Sequence, residues 1–303
     1  MRPYEGHIPS AMEPSVIYTS SHKESHHLPN LIVIGAMKCA TTSLHYYLGL
    51  HPEVFMSQEK ELNFFIREGN WHKGLEWYRS HFVGDAKVYG ESSPNYANYP
   101  FSQGVPERIH TLVPEAKLIY IVRDPIDRII SHYVHQYAVG REDRPLSEAL
   151  ADLDDNPYLC RSKYAMQLEQ YLKYVPEARV LMIAQEDLHR QRDETLKSVF
   201  RFLEVDDSFH CEEFSHIKHA SRGKRRRRHG AASLEYLSAD ILERLPPSTG
   251  QNLGHLLHLS FSHKVERPVL EEHVKQGLID ALEDDVHRFR QWTGLHFESW
   301  QDL

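Results

Sequence analysis

Runs of apolar residues alternate with helical patterns along this chain. Leu31–Ile34 is a continuous apolar run between Asn30 and Gly35, which is typical of a strand that is buried on both faces. Two similar runs occupy residues 117–123 and 180–183. Strands of this kind, separated by helical segments, predict an α/β protein with a parallel sheet.

The helical segments are recognised by apolar residues that recur every three or four positions. These faces lie at residues 44–48, 126–133, 164–175, 196–203 and 270–289. We therefore predict one α/β domain over residues 29–303, with a central parallel sheet flanked by helices. A polar lead-in over residues 1–28 precedes it.

Composition is that of an ordinary soluble domain, with 41% hydrophobic and 26% charged residues. The 35 Lys and Arg against 43 Asp and Glu give a net charge of −8, so no nucleic-acid partner is expected and any anion site must be local. The cysteines Cys39, Cys160 and Cys211 are too few and too dispersed for a disulfide framework, which indicates a reducing, cytoplasmic compartment. No apolar run approaches the ~18 residues of a membrane span, no signal-peptide core is seen, and no metal-ligand spacing occurs.

A turn rich in small residues follows the first predicted strand. Residues 35–43 read Gly-Ala-Met-Lys-Cys-Ala-Thr-Thr-Ser, and the backbone N–H groups at the start of the next helix favour an anion. Lys38 adds a point charge and Thr41–Ser43 add hydroxyl donors, although no glycine precedes the lysine as in a Walker A loop. The alternative is a tight βα turn with an incidental lysine. Cys39 is either a small spacer or a thiol activated by the helix N-terminus.

A second strand–turn–helix unit supplies a possible partner for this turn. Arg123 ends the strand, Asp124 and Pro125 suit the start of a helix, and Ser131 lies about two turns into that helix. Ligands of open α/β sheets bind outside the carboxyl ends of strands. If the two strands are neighbours, the planar guanidinium of Arg123 is placed to bind a second phosphate. The alternative is a surface ion pair with Asp124 or Asp127.

Residues 222–228 read Arg-Gly-Lys-Arg-Arg-Arg-Arg in an otherwise acidic chain. Such a run is a solvated loop or a nucleic-acid or targeting patch. A glycine inside a basic loop also allows the backbone to wrap around a phosphate. The residues alone leave these interpretations open.

Together these segments resemble sulfotransferases that use 3′-phosphoadenosine 5′-phosphosulfate (PAPS). Residues 35–44 are similar to the 5′-phosphosulfate loop of that family, and residues 121–133 to its 3′-phosphate-binding segment. Residues 60–65, 89–96 and 163–188 resemble further segments of the heparan-sulfate-type enzymes. The resemblance extends over nearly the whole chain and implies the P-loop-kinase-like sulfotransferase fold.

The resemblance also implies a mechanism and assigns roles. A hydroxyl or amine of a carbohydrate or small-molecule acceptor attacks sulfur in line, and adenosine 3′,5′-bisphosphate (PAP) leaves, without a metal. Glu61 is the expected general base, with Glu59, Glu91 or a histidine next in line, and Lys38 stabilises the leaving phosphate. The residues expected to bind the cofactor are Lys38, Cys39, Ala40, Thr41, Thr42, Ser43, Arg123, Ser131, Arg222, Gly223 and Lys224.

Two features qualify the assignment. Where the heparan-sulfate enzymes carry a lysine after a glutamate, this chain has Ser92. Within the basic run, we assign residues 222–224 to the cofactor and residues 225–228 to solvent or an anionic acceptor.

Two other functions are the alternatives to a sulfotransferase: a nucleotide-dependent small-molecule kinase and a non-catalytic nucleotide-binding relative. The missing Walker A glycine counts against the first, and the presence of both Lys38 and Glu61 against the second.

Overall fold

Five parallel strands form the central sheet of the computed structural model. They are β1 (Leu31–Gly35), β2 (Val54–Met56), β3 (Val88–Ser92), β4 (Lys117–Val122) and β5 (Val180–Ala184), in the order β2-β3-β1-β4-β5. The structure describes residues 26–216, 225–227, 262–297, 299–300 and 302–303. The predicted parallel α/β sheet is confirmed.

Burial explains which strands the sequence reveals. Leu31–Ile34 of β1 are completely buried between two neighbouring strands, so every position is apolar. The strands β4 and β5 lie where their apolar runs predict them. The strands β2 and β3 were not predicted, because β2 has only three residues and β3 contains Gly90, Glu91 and Ser92, which are buried without being hydrophobic.

Ten α-helices cover and connect the strands in the described part of the chain. They are α1 (Thr41–Leu48), α2 (Gly74–Arg79), α3 (Val105–Leu112), α4 (Pro125–Ala138), α5 (Leu146–Ala149), α6 (Pro157–Cys160), α7 (Tyr164–Leu172), α8 (Gln185–Arg190), α9 (Arg192–Leu203) and α10 (Glu272–Thr293). All five predicted helical faces are present. Asp124 caps α4 as expected, since its carboxylate accepts a 2.8 Å hydrogen bond from the Asp127 N–H.

The last helix is integrated into the core. Leu278, Leu282 and Phe289 of α10 are fully buried. Asp285 of α10 accepts hydrogen bonds from the N–H groups of Ala165 and Met166 at 2.9 and 2.8 Å. A carboxylate from one helix therefore caps the N-terminus of another, α7, which a local pattern does not reveal.

A small two-stranded sheet pairs Arg225–Arg227 (β6) with Ser262–Lys264 (β7) in antiparallel register. Most of the predicted lead-in at residues 1–28 lies outside the described residues, as do Arg222, Gly223 and Lys224. Within the described residues, none of the helices combines the length and apolar character that crossing a bilayer demands.

Candidate active site at the carboxyl edge of the sheet

The turn after β1 has an unusual backbone. Lys38 and Ala40 both adopt left-handed conformations, with φ of 74° and 63°. The turn is tied to the neighbouring strand by a 2.6 Å hydrogen bond from the Ala36 N–H to the Ile121 carbonyl. A side chain at Gly35 would come within 3.0 Å of the Ala97 Cβ and 3.1 Å of the Tyr120 ring. Only glycine therefore allows the strand to end this close to its neighbours.

This backbone leads directly into α1. Its N-cap, Ala40, supplies no capping side chain, and the first-turn N–H groups of residues 41–43 have no acceptor within the helix. Thr41 and Ser43 are buried while Lys38 and Thr42 are partly exposed. The predicted phosphosulfate-binding residues thus form one continuous turn that leads into a helix N-terminus, a position that favours an anion.

Cys39 contributes its backbone to this turn, while its side chain points into the core. The thiol is fully buried and lies 3.8 Å from the Tyr164 hydroxyl. Burial raises the pKa of the Cys39 thiol to about 11, against the lowering effect expected of a helix N-terminus. The spacer interpretation fits this environment, and the activated-thiol interpretation is wrong.

Arg123 and Ser131 lie on the second unit. The strands β1 and β4 are parallel neighbours, so Arg123 follows β4 at the same sheet edge as the first turn. Its guanidinium pairs with Asp127 at 2.7 Å, which is one of the two ion pairs considered from sequence, and its Nε has no partner. Ser131 is buried on α4 four residues after Asp127, and therefore shares its helix face.

Glu61 lies across the carboxyl end of β3. Its N–H donates to the Ser92 carbonyl at 3.0 Å, and its backbone has a φ of 66°. The carboxylate is 46% exposed and accepts a 2.7 Å bond from Lys60. Glu61 is therefore held by its backbone while its carboxylate remains accessible, as a base for an incoming acceptor requires.

The alternative bases are placed differently. Glu91 is completely buried and accepts hydrogen bonds from Tyr78, Ser93 and Tyr96 at 2.6 to 2.8 Å, and burial raises the pKa of its carboxyl. Glu59 lies 3.5 Å from His81 at the surface. Glu91 therefore has a structural role within the sheet.

A histidine supports the segment that carries Glu61. His45 on α1 contacts the Ser92 hydroxyl through Nδ1 at 2.9 Å and the Ser57 carbonyl through Nε2 at 3.1 Å. Because a carbonyl only accepts, Nε2 carries the proton and Nδ1 accepts from Ser92. Burial and the nearby Lys60 lower the pKa of His45 to about 4. Ser92, at the position of the family lysine, is thus part of a buried support.

Three basic residues near the phosphosulfate turn had no predicted role. Arg128 is completely buried, has no ion pair with a carboxylate in the described part of the chain, and donates to the Met37 and Tyr158 carbonyls and to the Ser162 hydroxyl. Arg161 at the end of α6 and buried His132 on α4 lie close by. Arg128 lies within residues 121–133, which resemble the 3′-phosphate-binding segment, so the sequence offered a signal for it. No local sequence pattern distinguishes Arg161.

The basic run requires one correction. Arg226 was expected to face solvent or an anionic acceptor, but its side chain is buried. Its guanidinium lies 3.9 Å from the centre of the Tyr137 ring, and it pairs with Asp143. The cause is β6, which places this position against α4.

These features define a class of protein. A parallel α/β sheet with the Lys38 turn after β1, Arg123 after its neighbour β4 and Glu61 across β3 has these side chains at the edge where open α/β sheets bind their ligands. The described residues contain no group of three or more His, Cys, Asp or Glu side chains that is suited to a metal ion.

Residues 28–241, more than half of the chain, match the family model for the sulfotransferase domain. The chain therefore belongs to the sulfotransferase domain family. It is similar to a crystal structure of a sulfotransferase from Alicyclobacillus acidocaldarius, with a TM-score of 0.67, 22% identity, and coverage of 91% of this chain and 99% of that one. This likeness confirms the expected fold.

Two relatives illustrate the sequence similarity. The human bifunctional heparan sulfate N-deacetylase/N-sulfotransferase 2 is 28% identical over 207 residues, which are 61% of this chain and 23% of that protein. The membrane-associated sulfotransferase kil1 of Dictyostelium discoideum is 40% identical over 111 residues, or 35% and 22% of the two chains. The aligned stretch of this chain thus spans only about a quarter of the length of these curated relatives.

Proposed function

We propose that this protein transfers a sulfuryl group from PAPS to a hydroxyl or amine of a carbohydrate or small-molecule acceptor by in-line displacement. One observation carries the proposal: β1 and β4 are neighbours, so the two anion-binding turns share a sheet edge, with Glu61 across the adjacent β3. In the proposal, the phosphosulfate end of the donor binds at the turn after β1 and its 3′-phosphate binds at the turn after β4.

The residues act as follows in this proposal. Glu61 takes the proton from the acceptor as the acceptor–sulfur bond forms. The bond between sulfur and the bridging oxygen breaks, and its electron pair stays on the phosphate oxygen of PAP. Lys38 and the N–H groups at the start of α1 stabilise the charge that develops there. No change in oxidation state is involved.

The remaining cofactor residues bind the nucleotide. Arg123 and Ser131 hold the 3′-phosphate, for which Arg123 exchanges its bond to Asp127 for a phosphate oxygen. Its unpartnered Nε supports this role, because a buried donor without an acceptor is costly. We also assign Arg222, Gly223 and Lys224 to the nucleotide, as the resemblance implies. Because the lysines and arginines supply the positive charge, the proposal needs no metal.

The acceptor belongs to the same proposal. One relative is a heparan sulfate N-deacetylase/N-sulfotransferase by name, which supports a carbohydrate hydroxyl or amine as a first choice. The direct test is a screen of saccharides and small alcohols or amines with ³⁵S-labelled PAPS. Transfer of label supports the proposal, and transfer of phosphate from ATP instead would favour a kinase.

A cytoplasmic location is also proposed. Its support is that none of the three cysteines is paired, with Cys39 and Cys160 buried as thiols, as is usual in a reducing compartment. Fractionation of the native source, followed by detection of the protein, tests this. Recovery in the membrane pellet, in the manner of a membrane-associated relative, would contradict it.

A further inference from the structure

Arg161 connects the two halves of the candidate site. It follows α6, and its Nη1 lies 2.9 Å from the Met37 sulfur and 3.0 Å from the Asn95 amide oxygen. Met37 immediately precedes Lys38 in the phosphosulfate turn, and Asn95 lies in the short turn after β3. The guanidinium therefore lies between the end of β1 and the end of β3, at the carboxyl edge of the sheet.

Within the described residues, no carboxylate is in direct contact with the charge of this arginine. Across the residues that the structure describes, Arg161 forms no ion pair with a carboxylate, its two side-chain contacts are to neutral groups, and its Nε has no partner. Arg123, at the same edge, is paired with Asp127. A guanidinium that is largely removed from water without a counter-ion is costly, so a ligand anion is the group that would complete its environment.

The surroundings indicate which part of a ligand this is. Its contact Met37 directly precedes Lys38, and its contact Asn95 donates a 3.2 Å hydrogen bond to Asn63, two residues after Glu61. Arg161 thus lies among the residues that would bound the path of sulfur, with the leaving oxygen near Lys38 and the acceptor near Glu61. Burial and the neighbouring Arg128 lower the pKa of Arg161 only to about 10, so the side chain stays charged at neutral pH.

We propose that Arg161 is a catalytic residue that donates hydrogen bonds to a non-bridging oxygen of the sulfuryl group as the group passes from PAPS to the acceptor. This inference rests on the proposed sulfotransferase function. The proton of the acceptor goes to Glu61, the sulfur–oxygen bond of the donor breaks toward the phosphate, and Arg161 remains protonated throughout. Fixed donors of this kind act on charge in the transition state.

PAP provides the test, because it is the donor without the sulfuryl group. The variants Arg161→Gln and Arg161→Lys are compared with wild type in three measurements: the Kd for PAP, the rate of acceptor-independent hydrolysis of PAPS to PAP and sulfate, and the melting temperature. We expect Arg161→Gln to slow hydrolysis by about 10²–10³-fold with the Kd for PAP changed less than about threefold. Arg161→Lys should recover part of the rate, since it keeps the charge but loses the planar fork.

Arg290→Gln is the matched control. Arg290 is also partly buried and donates to a neutral carbonyl, that of His296, at 3.0 Å, but it lies on α10. The Arg290→Gln variant should have an unchanged rate of PAPS hydrolysis and an unchanged Kd for PAP. If Arg161→Gln does not fold, Arg161→Lys carries the test, with an expected loss in hydrolysis rate that PAP affinity does not share.

Three results overturn the inference. The first is a normal rate of PAPS hydrolysis in both Arg161 variants. The second is a loss of PAP affinity and of melting temperature in Arg161→Gln that parallels its loss of hydrolysis rate, which would indicate a structural role. The third is normal hydrolysis combined with a raised KM for an acceptor found in the screen, which places Arg161 on the acceptor instead. A wild-type protein that neither binds PAP nor consumes PAPS removes the proposed function itself, and with it the role of Arg161.

Discussion

The two sides of the candidate site are built in different ways. The proposed donor side consists of turns that directly follow strands, and the backbone N–H groups at the start of α1 would supply much of its anion binding. The acceptor side is assembled from two distant segments, around Glu61 and around Ser92, and Arg161 joins it to the donor side. Side-chain hydrogen bonds connect them, such as His45 to Ser92 and Arg161 to Asn95.

This difference determines how each side responds to change. Backbone donors at a helix start survive most substitutions, because any residue other than proline supplies them. A network of buried side chains depends on each member, since removal of one leaves its partner without a hydrogen bond. We therefore expect single substitutions to act more sharply on the acceptor side than on the donor side.

The largest effect is expected at Glu61. Glu61→Gln keeps the shape of the side chain and removes its basicity, so transfer should fall by about 10²–10⁴-fold. The affinity for PAP should stay the same, because in the proposed mechanism Glu61 acts on the acceptor proton and binds no group of PAP. Initial-rate kinetics and calorimetry measure the two quantities.

Glu59→Gln is the control for this experiment. Glu59 is two residues away and contacts His81 at the surface, so its variant should behave like wild type. Near-normal turnover of Glu61→Gln would show that another group takes the proton, and would remove the main support for an acceptor side built around this segment.

On the donor side the effects should be smaller and should appear in binding. PAP at a hundredfold excess over its Kd should stabilise the native protein by about 2.7 kcal/mol, and ATP with Mg²⁺ should stabilise it much less. Arg123→Ala should raise the Kd for PAP by about 10- to 100-fold, because a charge-assisted hydrogen bond is lost. Lys38→Ala should also raise the Kd for PAP.

Thermal melts with each nucleotide provide the measurement. Arg179→Ala is a suitable control, because Arg179 pairs with Glu115 at the surface. Equal stabilisation by Mg-ATP would favour the kinase alternative, and unchanged PAP binding in both donor-side variants would show that the two turns are not the nucleotide site.

The sequence predicted the strands and turns that would form the donor side better than strand β3 beside Glu61, for a physical reason. Strands β1 and β4 are buried on both faces, and their turns follow within a few residues, so pattern and chemistry are contiguous. Strand β3 is buried too, but Glu91 is accommodated there by hydrogen bonds from Tyr78, Ser93 and Tyr96. Those bonds are tertiary, and periodicity cannot report them.

Arg161 shows the same limit at a single residue. Its contacts, Met37 and Asn95, are 124 and 66 positions away in sequence. The residue patterns indicated anion binding by Lys38 and Arg123, whereas the expected role of Glu61 came only from the resemblance to sulfotransferases. The positions of residues around them follow only from how the segments fold together.

A pH experiment distinguishes the support of the acceptor side from the rest of the protein. His45 is neutral in the folded state, with a pKa lowered to about 4 by burial and Lys60, whereas an unfolded histidine titrates near 6.5. The unfolded chain therefore binds a proton first as pH falls, and stability contributed by this group is lost between about pH 6.5 and 4. From pH 7 to 5 the loss should be about 1–2 kcal/mol.

Denaturant unfolding at several pH values measures this loss. In His45→Gln the pH dependence should be reduced by that amount, while His273→Gln, a change at an exposed histidine of α10, should retain the full dependence. An identical profile for His45→Gln and wild type would mean that the histidine is not held in its neutral form.

The smallest effect is expected at Arg226, outside both sides. Its contact with the Tyr137 ring and its pair with Asp143 predict that Arg226→Ala lowers the free energy of unfolding by about 0.5–2 kcal/mol. The KM for an acceptor should not change. Chemical denaturation and initial rates measure the two quantities, and a raised KM with unchanged stability would restore the original expectation for the basic run.

The cap that Asp285 provides also bears on where this protein can be divided. The stretch matched by the family model ends at residue 241, yet Asp285 binds the first N–H groups of α7, and Leu278, Leu282 and Phe289 fill the core beside it. A fragment cut at the end of that stretch would expose an apolar face and leave α7 uncapped. For cloning, domain transplantation or fusion, the folding unit therefore extends at least through α10, beyond residue 241, where the match to the family model ends.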